Sequence, residues 1–104
     1  MREPAVYILA SAFHGTLYIG VTSNLPGRVH QHRSGETGGF TARYHVHRLV
    51  HIESYPTMAD GIGREKQLKR WHRDWKINLI AEHNPLWRDL AEEMGFPPLR
   101  QPSS

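Results

Sequence analysis

Cysteine is absent from the 104-residue chain, which excludes disulfide staples and zinc–thiolate sites outright. Long apolar runs are missing too. No stretch approaches the roughly 18 residues that would span a bilayer, so no membrane association is expected. The N-terminus lacks a basic region leading into a long apolar core, and the expectation is a cytoplasmic protein without a secretory signal. There is no internal repeat. Hydrophobic residues make up 38% and charged residues 22%, the balance of a soluble globular chain rather than a disordered one. A chain of this length forms one domain around a modest core, so an active site must lie on the core's rim.

The net charge is only +3, but it is unevenly spread. Residues 64–76 carry Arg64, Lys66, Lys69, Arg70, Arg73 and Lys76 against Glu65 and Asp74, whereas residues 77–104 are net acidic. Basic charge concentrated in one short stretch suits a face that binds a polyanion; a solvated helix surface accounts for it equally well.

The segments 5–10 (AVYILA) and 17–21 (LYIGV) are short and rich in β-branched and aromatic residues, and read as a β-hairpin with a loop longer than two residues. Ser23-Asn24 offers an N-cap and Pro26 falls in the first turn, which predicts a helix from Leu25 to Ser34 stopped by Gly35. Three glycines within 35–44 predict a mobile surface loop. Residues 48–55 read as a third strand ended by Pro56. Thr57 and Asp60 have capping-box spacing and open a helix through Arg70, although Gly61 and Gly63 weaken it. A further helix is expected over 73–83 with Trp75, Leu79 and Ile80 facing inward, broken at Asn84-Pro85. A last short helix is expected over 87–94. The remaining residues, 95–104, hold three prolines and two serines and read as a flexible tail, leaving 1–94 as the domain.

Several polar residues fall where the pattern asks for apolar ones. Glu65 shares a helical face with Met58, Ile62 and Leu68, where a carboxylate must be paired or hold a metal; Lys69 and Arg64 are the nearest candidates for an ion pair. Arg28 and His32 are four apart on one helix and share a face. Tyr7 and Tyr18 each alternate with aliphatic neighbours and so project to the opposite side of their strands. Gly20 lies two residues after Tyr18 and leaves that face open, as close approach of a ligand or another backbone requires. Cross-strand packing and solvated surface also explain these residues one by one. Together they make an inventory for phosphodiester hydrolysis. A carboxylate can hold a hard cation whose shell water and phosphate complete, and an arginine can stabilise a charged transition state. A tyrosine takes a proton from water only if neighbouring cations lower its pKa.

The pattern resembles that of the GIY-YIG nucleases. Ala5-Val6-Tyr7 keeps only the tyrosine of the first motif, while Tyr18-Ile19-Gly20 matches the second in full. Arg28 stands ten residues after Tyr18, His32 four after Arg28, and Glu65 within Arg64-Glu65-Lys66-Gln67-Leu68, in the order and at the intervals seen in that family; Asn84 before Pro85 resembles another recurrent position. Val21 stands near where some relatives carry a lysine. The likeness spans about residues 5–90 and is greatest to small single-domain bacterial members. It implies an α+β fold with a three-stranded antiparallel sheet flanked by helices, and a single Mg²⁺ or Mn²⁺ ion held by Glu65. It also implies a one-step hydrolytic attack on DNA. By the same analogy Tyr7 is the general base with His32 accepting its proton or orienting it, Tyr18 positions the water or phosphate, and Arg28 stabilises the transition state. The two tyrosines could exchange roles.

Substrate contacts are expected from Gly20, Arg43, Tyr44, Lys66, Lys69, Arg70, Arg73 and Asn84. The interleaving of cations with Trp71, His72 and Trp75 suits single-stranded DNA, whose bases can stack, although packing into the core with Trp87 is the better account of at least one of these tryptophans. No small-molecule cofactor is expected. Two alternatives stand beside cleavage: a binding module of the same fold without activity, and a metal-binding protein suggested by eight histidines.

Overall fold

The computed structural model describes residues 3–36 and 39–99. Three antiparallel strands, β1 (Ala5–Ala10), β2 (Leu17–Thr22) and β3 (Arg48–Ser54), form a sheet in the order β2-β1-β3. The helices are α1 (Leu25–Ser34), α2 (Gly39–Arg43), α3 (Met58–Arg70) and α4 (Arg73–His83), followed by a 3₁₀ turn at Leu90–Met94. The architecture is α+β, as expected.

The sheet is covered on both sides, and every residue of the central β1 is buried. Alternation sorts the strand residues into two cores. Val6, Ile8 and Ala10 face Ile19, Val50, Leu68 and Ile80 beneath α3 and α4. Tyr7 and Leu9 face Leu25, Val29, Val46 and Leu49 beneath α1 and the 3₁₀ turn. β3 carries a bulge: Ile8 pairs with His51 and Leu9 with Leu49, which leaves Val50 without a partner. Asn84 Nδ2 donates to the Val50 carbonyl at 3.1 Å.

Helix ends follow local chemistry. Asn24 Oδ1 accepts the Gly27 N–H and caps α1, which Gly35 ends in a left-handed conformation. Thr57 Oγ1 accepts the Asp60 N–H at 3.1 Å and caps α3. Gly61 lies flat against β2, where a Cβ would come within 3.1 Å of Val21 Cγ2. The glycine that weakens α3 intrinsically therefore lets it approach the sheet.

Four expectations are corrected. Part of the 35–44 loop is helix α2, with residues 37 and 38 outside the described residues. Tertiary contacts hold α2: Thr41 is buried against His32, and the Phe40 ring lies 6.3 Å from that of Tyr18. Trp75 does not face inward but is 54% exposed, while Leu79 and Ile80 pack toward the core as expected, joined by Ile77. The segment 87–94 is helical only from Leu90, because Trp87 adopts a positive φ of 54° and Asp89 caps the turn. Phe96, read as tail, packs against the α1 side with the Arg33 guanidinium 5.3 Å over its ring; residues 100–104 lie outside the described residues. Among the described residues no helix is long and apolar enough to cross a membrane.

Candidate active site

Tyr7 is the centre of the site. It sits directly opposite Gly20 in the β1–β2 register, and its ring crosses β2 through the space that a side chain there would fill. A Cβ on Gly20 would lie 2.4 Å from Tyr7 Oη and 2.5 Å from Cζ. The open face at Gly20 thus belongs to Tyr7 and not to a substrate strand; the glycine is buried. Tyr18 flanks the ring at 6.4 Å between centroids. His32 reaches in from α1, its centroid 5.9 Å from Tyr7 and 5.4 Å from Tyr18.

A chain of hydrogen bonds runs through the cluster. Tyr7 Oη lies 3.0 Å from His32 Nε2, and His32 Nδ1 lies 3.2 Å from Thr41 Oγ1. In the tautomer whose Nδ1–H donates to Thr41, Nε2 is left to accept the Tyr7 hydroxyl proton. Thr41 has no counterpart in the sequence reading. Nothing in a glycine-rich segment marks one threonine as the partner of a histidine nine residues earlier.

The electrostatics bind the remaining residues to this pair. Burial raises the Tyr7 pKa, as do Tyr18 and the Glu65 charge, while Arg28 pulls it down. All three are therefore within electrostatic reach of the Tyr7 hydroxyl. With 1% of its surface exposed, Tyr7 has its pKa pushed away from the value a free-standing base needs. The lowering expected from neighbouring cations is outweighed by desolvation. Burial lowers the His32 pKa, with Arg28 and His47 adding to the effect, so the imidazole is neutral at pH 7 and able to accept a proton.

Glu65 projects from the stretch of α3 after Gly61, with 16% of its side chain exposed and Lys69 Nζ 3.5 Å from Oε2. Arg64, the other candidate partner, turns away to Glu53, to which its Nε donates at 2.8 Å. Among the described residues no group of three or more carboxylates and histidines could hold a metal. The Glu65 carboxylate is an oxygen donor of the kind Mg²⁺ takes, an ion that keeps several waters and needs only one or two carboxylates.

The expected substrate contacts divide. Arg43, Tyr44, Lys66, Lys69 and Arg70 are exposed, and Arg43 stacks over the Tyr44 ring at 5.6 Å. Arg73 instead ties α4 to the hairpin loop by donating to the carbonyls of His14 and Gly15, both at 2.7 Å. Asn84 is buried; besides Val50 it donates to the Arg88 carbonyl and accepts the Arg88 N–H. Its side-chain amide is thus taken up by the backbone of Val50 and Arg88. A second polar cluster, absent from the sequence reading, joins Glu53 to His51, Tyr55 and Arg64. Burial alone would raise the Glu53 carboxyl; the hydrogen bonds from these three outweigh it and hold the pKa well below the usual carboxylate range.

The model of the GIY-YIG catalytic domain matches residues 3–78. A UPF0213 protein of Syntrophus aciditrophicus is 34% identical over 84 residues, covering 80% of this chain and 95% of that protein. A UPF0213 protein of Staphylococcus aureus is 36% identical over 83 residues, covering 79% and 99%. The solution NMR structure of a UPF0213 protein from Bacillus halodurans superposes with a TM-score of 0.53 at 24% identity, covering 86% of this chain and 95% of that one, a likeness of fold.

Proposed function

Because the chain belongs to the GIY-YIG endonuclease superfamily, we propose that it is a divalent-metal-dependent endonuclease that hydrolyses DNA phosphodiester bonds and prefers single strands. The observation that supports this reading is the convergence of Tyr18, Arg28, His32 and Glu65 on one buried hydroxyl, that of Tyr7.

Glu65 would hold one Mg²⁺ or Mn²⁺, which supplies Lewis-acid polarisation of the phosphoryl oxygens. The raised pKa of Tyr7 disfavours a standing phenolate, so the proton moves by relay. Tyr7 Oη takes a proton from the attacking water as its own passes to His32 Nε2, and Thr41 holds the ring in the accepting tautomer. Neither tyrosine charge nor free imidazolium exists before the reaction. Such acid–base assistance contributes typically about 10²–10⁴-fold. Arg28 stabilises the charge that builds on the phosphorus oxygens, and the more exposed Tyr18 orients water or phosphate.

The preference for single strands rests on exposed aromatics beside cations. Trp75 meets Trp71 and His72 edge to face, and Tyr44 carries Arg43 on its ring. The second reading, a DNA-binding module without activity, draws support from the burial that raises Tyr7.

Labelled single-stranded DNA, duplex DNA and RNA of one sequence, incubated with Mg²⁺ or Mn²⁺, decide between the readings. Cleavage of single-stranded DNA is expected to fall by on the order of 100-fold or more in Glu65→Gln, since a catalytic metal supplies several kcal/mol. Binding without cleavage under any metal would favour the module. Cleavage that survives Glu65→Gln or excess chelator would refute the metal site.

A further inference from the structure

Next to Tyr18 the surface opens into a hollow of about 290 Å³ lined by Leu17, Tyr18, Ile19, Phe40, Lys69 and Lys76. We infer that this hollow is a subsite for one unpaired base of the strand being cut, with Phe40 as its stacking surface and Lys76 and Lys69 on the adjoining phosphates. The inference rests on the nuclease reading and extends it to how substrate is held.

Four observations carry it. The first is size: the volume lies at the small end of cavities that hold ligands, enough for one flat ring and too little for a peptide helix. The second is the wall. Phe40 is 47% exposed on a five-residue helix, yet its ring is not isolated. It stands 6.3 Å from Tyr18 and 5.0 Å from Tyr44, so aromatic faces run without a break from the catalytic cluster outwards. With the equally exposed Tyr44 it forms a contiguous aromatic patch beside the site, and such patches mark contacts with ligands or partners.

Third, the rim is cationic. Among the described residues Lys76 makes no ion pair with a carboxylate. Burial lowers its pKa, with Arg73 adding to the effect, a situation that an incoming phosphate would relieve. Fourth, the hollow adjoins the cutting site through shared residues. Tyr18 belongs to both, and Lys69 lines the hollow while contacting Glu65 at 3.5 Å. A base seated here therefore places a neighbouring phosphate toward Glu65. In a duplex that base is paired and stacked, so the subsite selects strands whose bases can swing out.

The test separates base recognition from backbone binding and from catalysis. Fluorescence anisotropy compares the intact protein's affinity for oligothymidylate and for an abasic deoxyribose-phosphate chain of equal length, in chelator so that nothing is cut. The intact protein is expected to favour oligothymidylate. Phe40→Leu keeps an apolar side chain but no ring and should reduce that preference about 5-fold or more, the range of one base–aromatic stack; Phe40→Tyr should retain it. Lys76→Gln should weaken both polymers alike and reduce the salt slope by about 0.7. A thymidylate-to-abasic ratio unchanged by Phe40→Leu, in a protein that still cuts DNA with metal, overturns the subsite and leaves the nuclease reading standing. Equal affinity of the intact protein for the two polymers also overturns it. An intact protein that neither binds nor cuts any nucleic acid overturns both.

Discussion

Replacing Gly20 by alanine should damage the protein in one background and stabilise it in another. The new Cβ would lie 2.4 Å from Tyr7 Oη, 2.5 Å from Cζ and 2.9 Å from Cε1, against a favourable carbon contact of about 3.5–4.0 Å. The ring must retreat by roughly 1 Å to restore that spacing. Overpacking of this kind costs about 1–3 kcal/mol, and the strained Tyr7–His32 hydrogen bond adds about 0.5–1.5 kcal/mol. Against this, alanine is favoured over glycine in a strand by roughly 0.5–1 kcal/mol. The net expectation is a loss of about 0.5–4 kcal/mol. Activity should fall further, since a 1 Å misplacement of a catalytic group can cost on the order of 100-fold. With Tyr7→Leu already in place the ring is gone, only the strand preference remains, and the same substitution should gain up to about 1 kcal/mol. Urea unfolding of the four proteins in the cycle measures both values. A Gly20→Ala effect of the same sign and size in both backgrounds would refute the claim that the tyrosine occupies the glycine's place.

Thr41→Val keeps the shape of α2 but removes the hydroxyl facing His32 Nδ1. The rate of cleavage should drop on the order of 10- to 100-fold, within the share acid–base catalysis supplies, with substrate affinity unchanged; an unaltered rate would remove Thr41 from the relay. Asn84→Ala deletes three hydrogen bonds, one to the bulge at Val50 and two to the Arg88 backbone, and should cost about 2–3 kcal/mol in denaturant unfolding while leaving DNA affinity as it was; a selective loss of DNA binding would place it on the substrate surface. The pH profile of cleavage should fall on the acid side with a midpoint below the ordinary histidine value of 6.5, because burial disfavours the charged imidazole that can no longer accept a proton. A midpoint above that value would exclude His32 as acceptor. For stability, the folded pKa of Glu53 is depressed, so its contribution is present above the ordinary carboxylate value of 4.5 and is lost as pH falls through the folded value. Glu53→Gln should therefore be less stable than the parent at neutral pH and flatter in its response to acid below 4.5; parallel acid unfolding curves would contradict this.

What could be read from the chain was what short-range chemistry decides. The ends of α1, α3 and α4 follow Asn24, Gly35, Thr57 and Asn84-Pro85, each of which acts within one turn. The facing of Tyr7 and Tyr18 follows from strand alternation, and the pairing of Arg28 with His32 from helical spacing. The misreadings involve longer range. Helix α2 is helical because of what Phe40 and Thr41 touch on α1 and β2, contacts that leave no trace in a run of glycines. Trp75 is apolar and so expected inward, but the face carrying Ile77 and Ile80 fills the core and leaves the indole edge-on to His72. Arg64 and Lys69 were equivalent as partners of Glu65 until the position of Glu53 separated them.

The unpaired Val50 has a consequence for chemistry as well as for strand shape. Before it Leu49 faces the tyrosine side of the sheet; after it Ile52 does, and His51 and Glu53 pair across from Ile8 and Val6 on the opposite side. With unbroken alternation from Leu49, the phase of every later residue would reverse, and an imidazole and a carboxylate would project beside Tyr7. Under the proposed mechanism a second acid there would compete with Glu65 for the cation or trap the relayed proton. One extra residue thus keeps His51 and Glu53 on the face opposite Tyr7. On the side away from Tyr7 the acid is already neutralised by Arg64.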